Sequence, residues 1–206
     1  MSFDYKKRSA GELEQIADVV LSRYAHRRTG HFIDIEGIIE DCEITILLRR
    51  GELNKYCEGY VATNPHYIVL PEAYASYQPR YRSILAEEFC HIILEYDLIG
   101  TGGKLPADAQ PHALTPQQHK DIESDAEYLK LALLFPKLDF TNQFNDHFQN
   151  APDDAKISRD KHLIYCAEKL EVDFQVWALM VAYRALALEL ISEAECRRCF
   201  SDRLLM

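Results

Sequence analysis

The stretch Pro79–Asp97, PRYRSILAEEFCHIILEYD, decides how this chain is read. Wound at about 100° per residue, it sets Tyr81, Leu85, Phe89, Ile92 and Tyr96 on one apolar arc, the pattern of a helix laid against a core. Glu88 and Glu95 fall at the edge of that arc beside Ile84. Glu87 and His91 continue the same side, whereas Cys90 lies opposite. Carboxylates carried toward a core are destabilising unless a positive charge or a hydrogen-bond donor meets them. A metal ion is the economical candidate.

Spacing sharpens that expectation. In the H-E-x-x-H helix of zinc peptidases, the first and fifth residues sit one turn apart and bind one ion, and the second is the general base toward a metal-bound water. The same register here reads Glu87-Glu88-Phe89-Cys90-His91. It makes Glu87 and His91 the ligand positions and Glu88 the base, with the first histidine of the motif replaced by glutamate.

With its surroundings, the stretch resembles the ImmA/IrrE metallopeptidases, whose members approach the motif through arginines and continue in a run like laHElgHilLH. Arg80 to Glu95 follows that run position by position. In that family a second helix, reading roughly E-x-x-A-x-x-F-A-x-x-L-L-x-P, supplies the third ligand. Glu123 to Pro136, ESDAEYLKLALLFP, resembles it and so makes Glu123 that ligand. The likeness runs from Leu13 to Leu190 and is strongest in these two helices.

The resemblance implies an α+β, zincin-like metallopeptidase domain holding zinc, or manganese or iron, on Glu87, His91 and Glu123. It implies cleavage of a regulatory protein such as a helix-turn-helix transcriptional repressor, in phage or stress regulation. Glu87 and Glu95 depart from the family where it has histidines, and Cys90 where it has glycine. The family's Val-Ser…Arg-Leu spacing is also not reproduced at Val172-Asp173 and Arg184. One nitrogen and two oxygens are a ligand set that zinc accepts and harder divalent ions accept comparatively better. A carboxylate in place of imidazole also acidifies bound water less, so the expected peptidase activity is weak or lost.

A second function class is a non-catalytic, protein-binding module that keeps the fold and regulates a partner by docking. A third is a toxin-like or phage-encoded protein working in a complex. The blandest reading of Glu87, Glu88, His91 and Glu123 is a solvated acidic stripe with one satisfied histidine. Glu95 reads as a carboxylate behind the ligands or as one half of an ion pair. His112 and His119 are candidate replacements for the lost ligand, because His119 and Glu123 lie one turn apart on a helix. Cys196-Arg-Arg-Cys199 is a lone C-x-x-C, weak evidence for zinc or redox work.

The chain has 206 residues, 48% of them apolar, enough for one sizeable core and read as one domain. Its net charge of −10 argues against a broad phosphate-binding surface and direct nucleic-acid binding. No apolar segment follows the basic residues near Met1, and no run approaches the roughly 18 apolar residues of a membrane span. Cys42, Cys57, Cys90, Cys166, Cys196 and Cys199 read as reduced thiols in a cytoplasmic protein.

Ser9 to Glu12 is a capping box that opens a first helix, closed near Gly30, and Asp34 caps a short helix ending near Asp41. Glu43–Leu48, Tyr60–Thr63 and Tyr67–Leu70 predict a small three-stranded sheet ahead of the central helix. A Gly- and Pro-containing loop separates Gly100 from Thr115, which caps the second helix with Pro116 in its first turn. The stretch between Pro136 and Asp160 reads as polar and turn-like, and the chain is helical again from Lys161. Asp173 is expected to cap a buried helix from Phe174 to Ile191.

Overall fold

The computed structural model describes residues 5–50 and 58–200; Cys57 and the residues at the chain start, read above for a leader, lie outside them. The described residues form an α+β protein of eight α-helices with a small three-stranded sheet. By its internal contacts the chain divides into two compact units, Met1–Thr29 with Ile33–Leu134, and Gly30–Phe32 with Phe135–Met206.

In the first unit, α1 (Ala10–Arg23) starts at the expected capping box. The Ser9 hydroxyl accepts from the Glu12 N–H, and Glu12 accepts from the Ser9 N–H at 2.8 Å. Leu13, Ala17 and Val20 are the buried face of α1. After β1 (Arg28–Thr29) and β2 (Phe32–Ile33), Asp34 caps α2 (Ile35–Asp41) by accepting from the Gly37 N–H at 3.0 Å. The sheet contains β3 (Thr45–Arg49), β4 (Tyr60–Val61) and β5 (Tyr67–Pro71) in the order β3-β5-β4. β3 runs parallel to β5 with Thr45 beside Tyr67, and β4 runs antiparallel with Val61 beside Ile68. β5 is the central strand, and its consecutive buried residues Ile68, Val69 and Leu70 are what burial on both faces requires.

The two helices singled out in the sequence are α3 (Gln78–Glu95) and α4 (Pro116–Leu134), which pack along each other. Thr115 and Gln118 cap α4 reciprocally, hydroxyl to N–H at 3.2 Å and N–H to side-chain amide oxygen at 2.9 Å. Tyr81, Leu85, Phe89 and Ile92 of the expected arc are buried. So are Ile84, Ala86, Cys90, Ile93 and Leu94. The placing of Cys90 opposite the buried face is therefore corrected: it is fully enclosed, because α3 meets α2, β4, β5 and α4 on different sides. Arg82, in the arginine-rich approach, is also buried and donates to the Ile33 carbonyl at 2.8 Å. Burial pushes its pKa down to about 10.

The second unit holds α5 (Lys137–Gln149), α6 (Arg159–Phe174), α7 (Ala178–Ala187) and α8 (Glu193–Phe200). Two expectations fail here. The polar stretch after Pro136 is a helix, because Phe140 and Phe144 recur one turn apart and bury a face that the surrounding Asn and Asp residues mask. Phe140 lies edge-on to Phe135 and tilted against Phe174, with centroids 5.4 and 5.9 Å away. Nor does Asp173 open a helix. It lies in the last turn of α6 and meets His147 at 2.6 Å; Gln175, at φ 52°, then ends α6 in the left-handed region.

Arg184 of α7 is completely buried and donates through Nε to the Phe135 carbonyl at 3.0 Å. Arg184→Ala removes this donor and leaves a void, so it is expected to lower the unfolding free energy by about 3 kcal/mol. Urea unfolding measures this directly. A loss of under about 0.5 kcal/mol would show that the buried guanidinium is not a structural tie.

Candidate functional site

α3 and α4 together carry every candidate ligand, and their packing sorts those residues into three groups. In the first, His91 lies between two carboxylates: Nδ1 is 3.4 Å from Glu95 Oε1, and Nε2 is 3.7 Å from Glu123 Oε2. Both ring nitrogens donate only when imidazole is protonated. Burial opposes that charge, but the Glu95 hydrogen bond and the Glu123 and Glu88 charges outweigh it and raise the His91 pKa. Glu95 thus acts as the partner of His91, and Glu123 reaches it from the second helix with its own side chain 60% exposed.

Glu87 belongs to a second group. Its Oε2 lies 2.7 Å from Lys130 Nζ, and the same ammonium reaches Glu127 Oε2 at 2.7 Å. The Lys130 side chain is only 7% exposed. Burial works against its charge, yet Glu87 and Glu127 outweigh burial and raise its pKa, so Lys130 remains an ammonium.

Glu88 stands apart from both groups. Burial pushes its pKa up to about 7; the His91 charge opposes the rise, whereas the negative charges of Glu87 and Glu123 reinforce it. The carboxylate also accepts from the backbone N–H of Val61 in β4. Gly59, just before β4, makes this approach possible. A Cβ there would lie 2.6 Å from Leu70, 2.8 Å from Ile84 and 3.2 Å from Glu88 Cγ, so only glycine lets the chain pass so close to α3.

The structure therefore brings His91 and Glu123 together, leaves Glu88 beside them, and engages Glu87 with a lysine. Among the described residues, no three His, Cys, Asp or Glu side chains converge in a way that could hold a metal ion. As arranged, the donors do not fit a three-ligand ion, because an ammonium already occupies the place beside Glu87 where a metal's positive charge would act. His119 is exposed on α4, and His112 is exposed with its ring tilted against Tyr96 at 5.6 Å. The thiols of Cys42, Cys90, Cys166, Cys196 and Cys199 are free, and burial raises the pKa of Cys196 and Cys199 on α8.

Lys130 is the residue that sequence reasoning missed. Its signal was a lysine inside the apolar run Leu129-Lys130-Leu131-Ala132-Leu133, seven residues beyond Glu123 and thus on the same helix face. A cation at a buried helix position asks for a carboxylate, and Glu87 supplies it. No family model, curated protein or solved structure matches this chain.

The raised Glu88 pKa has a consequence for stability. A carboxyl whose folded pKa exceeds its unfolded value of 4.5 adds stability below pH 4.5, and that contribution is lost as pH rises toward about 7. Glu88→Gln is expected to remove this loss, so the variant should gain on the natural chain by up to about 3 kcal/mol between pH 5 and pH 8 in urea titrations. Equal pH dependence of the two proteins would show that Glu88 ionises as an ordinary surface carboxyl.

Proposed function

We propose that this chain is a metallopeptidase-like protein of the ImmA/IrrE kind that regulates a partner protein by docking, without a metal at its E-E-x-x-H helix. The observation that carries this reading is the buried Lys130 ammonium, 2.7 Å from Glu87. A divalent ion at Glu87 and His91 would face that fixed positive charge at short range in a partly buried setting, where Coulomb repulsion is poorly screened. The lysine performs the task expected of a metal, meeting the carboxylate on the buried side of α3, and offers no polarised water.

The same helix pair is suited to recognition. The short strand β4 lies against α3 with its outward Val61 N–H already taken by Glu88, so a partner segment beside it would meet the Val61 carbonyl and the exposed Glu123 carboxylate. The partner class that the resemblance suggests is a regulatory protein such as a helix-turn-helix repressor. The free thiols support a reducing, cytoplasmic setting, and no helix among the described residues is long and apolar enough to cross a membrane.

A second reading, a metal-dependent endopeptidase, is favoured by one observation. Glu88, with a pKa pushed up to about 7 beside His91 and Glu123, is poised to hold or release a proton near neutral pH, as a general base must. Metal content separates the two readings. On the docking reading, protein purified without chelator carries far less than one divalent ion per chain after incubation with zinc, manganese or iron. Glu87→His with Lys130→Ala, which restores an imidazole and removes the ammonium, is then expected to gain zinc affinity by at least about tenfold. Close to one ion per natural chain, lost in Glu123→Ala, would establish the peptidase reading instead.

A further inference from the structure

Among the described residues, β3 is an edge strand on the far side of β5 from β4. Edge strands in soluble proteins are normally blunted by charge, proline or a covering element, because their open backbone groups template pairing with another chain. β3 carries the opposite character. Its sequence Thr45-Ile-Leu-Leu-Arg49 is apolar through its middle, and Leu47 and Leu48, which point to opposite faces, are 43% and 47% exposed. By contrast, β5 is buried from Ile68 to Pro71.

The backbone of β3 fixes which groups are open. The Thr45 N–H donates to the His66 carbonyl at 2.8 Å, so Thr45, Leu47 and Arg49 direct their backbone groups to β5, whereas Ile46 and Leu48 direct theirs outward. At the start of the strand, a cleft of about 420 Å³ is lined by Glu36, Glu40 and Glu43, with Ile46, Leu48 and Tyr81 among its other walls. All three carboxylates are on exposed residues. At the other end of the strand stand two exposed basic residues, Arg49 and Arg50.

We infer that β3 pairs antiparallel with β3 of a second copy of this chain, joining the two small sheets into one. The charges select this occupant. An antiparallel self-pair brings the basic end of each strand to the acidic cleft of the other, and two-fold symmetry makes the match twice. Only outward-facing residues form the hydrogen-bonded pairs. The Ile44 N–H is kept by the Ile39 carbonyl at 3.2 Å, so the open pairs are those of Ile46 and Leu48. Pairing Ile46 with Leu48 of the copy sets Leu47 opposite its own copy and Thr45 opposite Arg49, and directs Arg49 diagonally toward Glu43 and Glu40 at both ends. The exposed leucines are covered in the same step. Glu43 already engages Lys104, and Arg50 lies 3.1 Å from Glu72, so Arg49 and Glu40 are the charges given to the interface.

Sedimentation velocity on the full chain tests this, with circular dichroism to verify folding. The natural chain is expected to sediment at twice the chain mass at micromolar concentration. Leu48→Pro removes an outward N–H and no bond to β5, so it is expected to give a folded monomer. Arg49→Glu alone and Glu40→Lys with Glu43→Lys alone are each expected to be monomeric through like-charge repulsion. Mixed together, those two proteins are expected to restore the dimer, since each then presents the charge that the other lacks. A natural chain that stays monomeric, a Leu48→Pro protein that stays dimeric, or a mixture that fails to reassociate would overturn the inference. None of these readouts involves the metal content on which the docking reading turns.

Discussion

A buried ammonium held between two carboxylates organises the helix pair at the centre of this protein. Lys130 reaches from α4 to Glu87 on α3 while keeping Glu127 of its own helix, and it does so with 7% of its side chain exposed. Such a pair contributes little net stability relative to a well-packed apolar alternative, but removing one partner strands a buried charge at a cost of roughly 3–5 kcal/mol. Its main effect is therefore one of specification. It sets which turn of α4 lies against which turn of α3, and so decides how far Glu123 stands from His91.

The rest of the cluster follows from that assignment. Four carboxylates crowd one side of α3 and α4, and three arrangements meet them. Glu87 has the lysine; Glu95 and Glu123 flank the His91 ring and their charges raise its pKa; burial pushes Glu88 up to about 7, so it keeps its own proton over much of the acidic range. A dication would have to displace two of these three arrangements at once. The cluster's charges are met from within the helix pair as it stands.

Much of this was legible in the sequence where local chemistry decides structure. The Ser9–Glu12 capping box, the Asp34 and Thr115 caps and the three strand segments formed where reciprocal hydrogen bonds and β-branched residues put them. What escaped were outcomes of packing. Cys90 is enclosed because α3 has neighbours on several sides, which a one-sided helical wheel does not represent. α5 was hidden because its phenylalanines are spaced singly among polar residues, and the α6 terminus was hidden because Gln175 takes a left-handed conformation that glycine or asparagine usually signals. At the site, the motif brought Glu87, Glu88, His91 and Glu123 to attention as a set. It carried no information on Lys130, whose role depends on which turns of two helices meet.

The coupling between Glu87 and Lys130 holds this helix pair in register, and a double-mutant cycle measures it directly. Glu87→Gln, Lys130→Met and the combined variant, unfolded in urea with and without zinc, give an interaction free energy free of the separate effects of each substitution. The expected result is a favourable coupling of at least about 1 kcal/mol that zinc leaves unchanged. A coupling near zero, or one that zinc abolishes while stabilising the natural chain, would contradict the ion pair's place at the centre of this site.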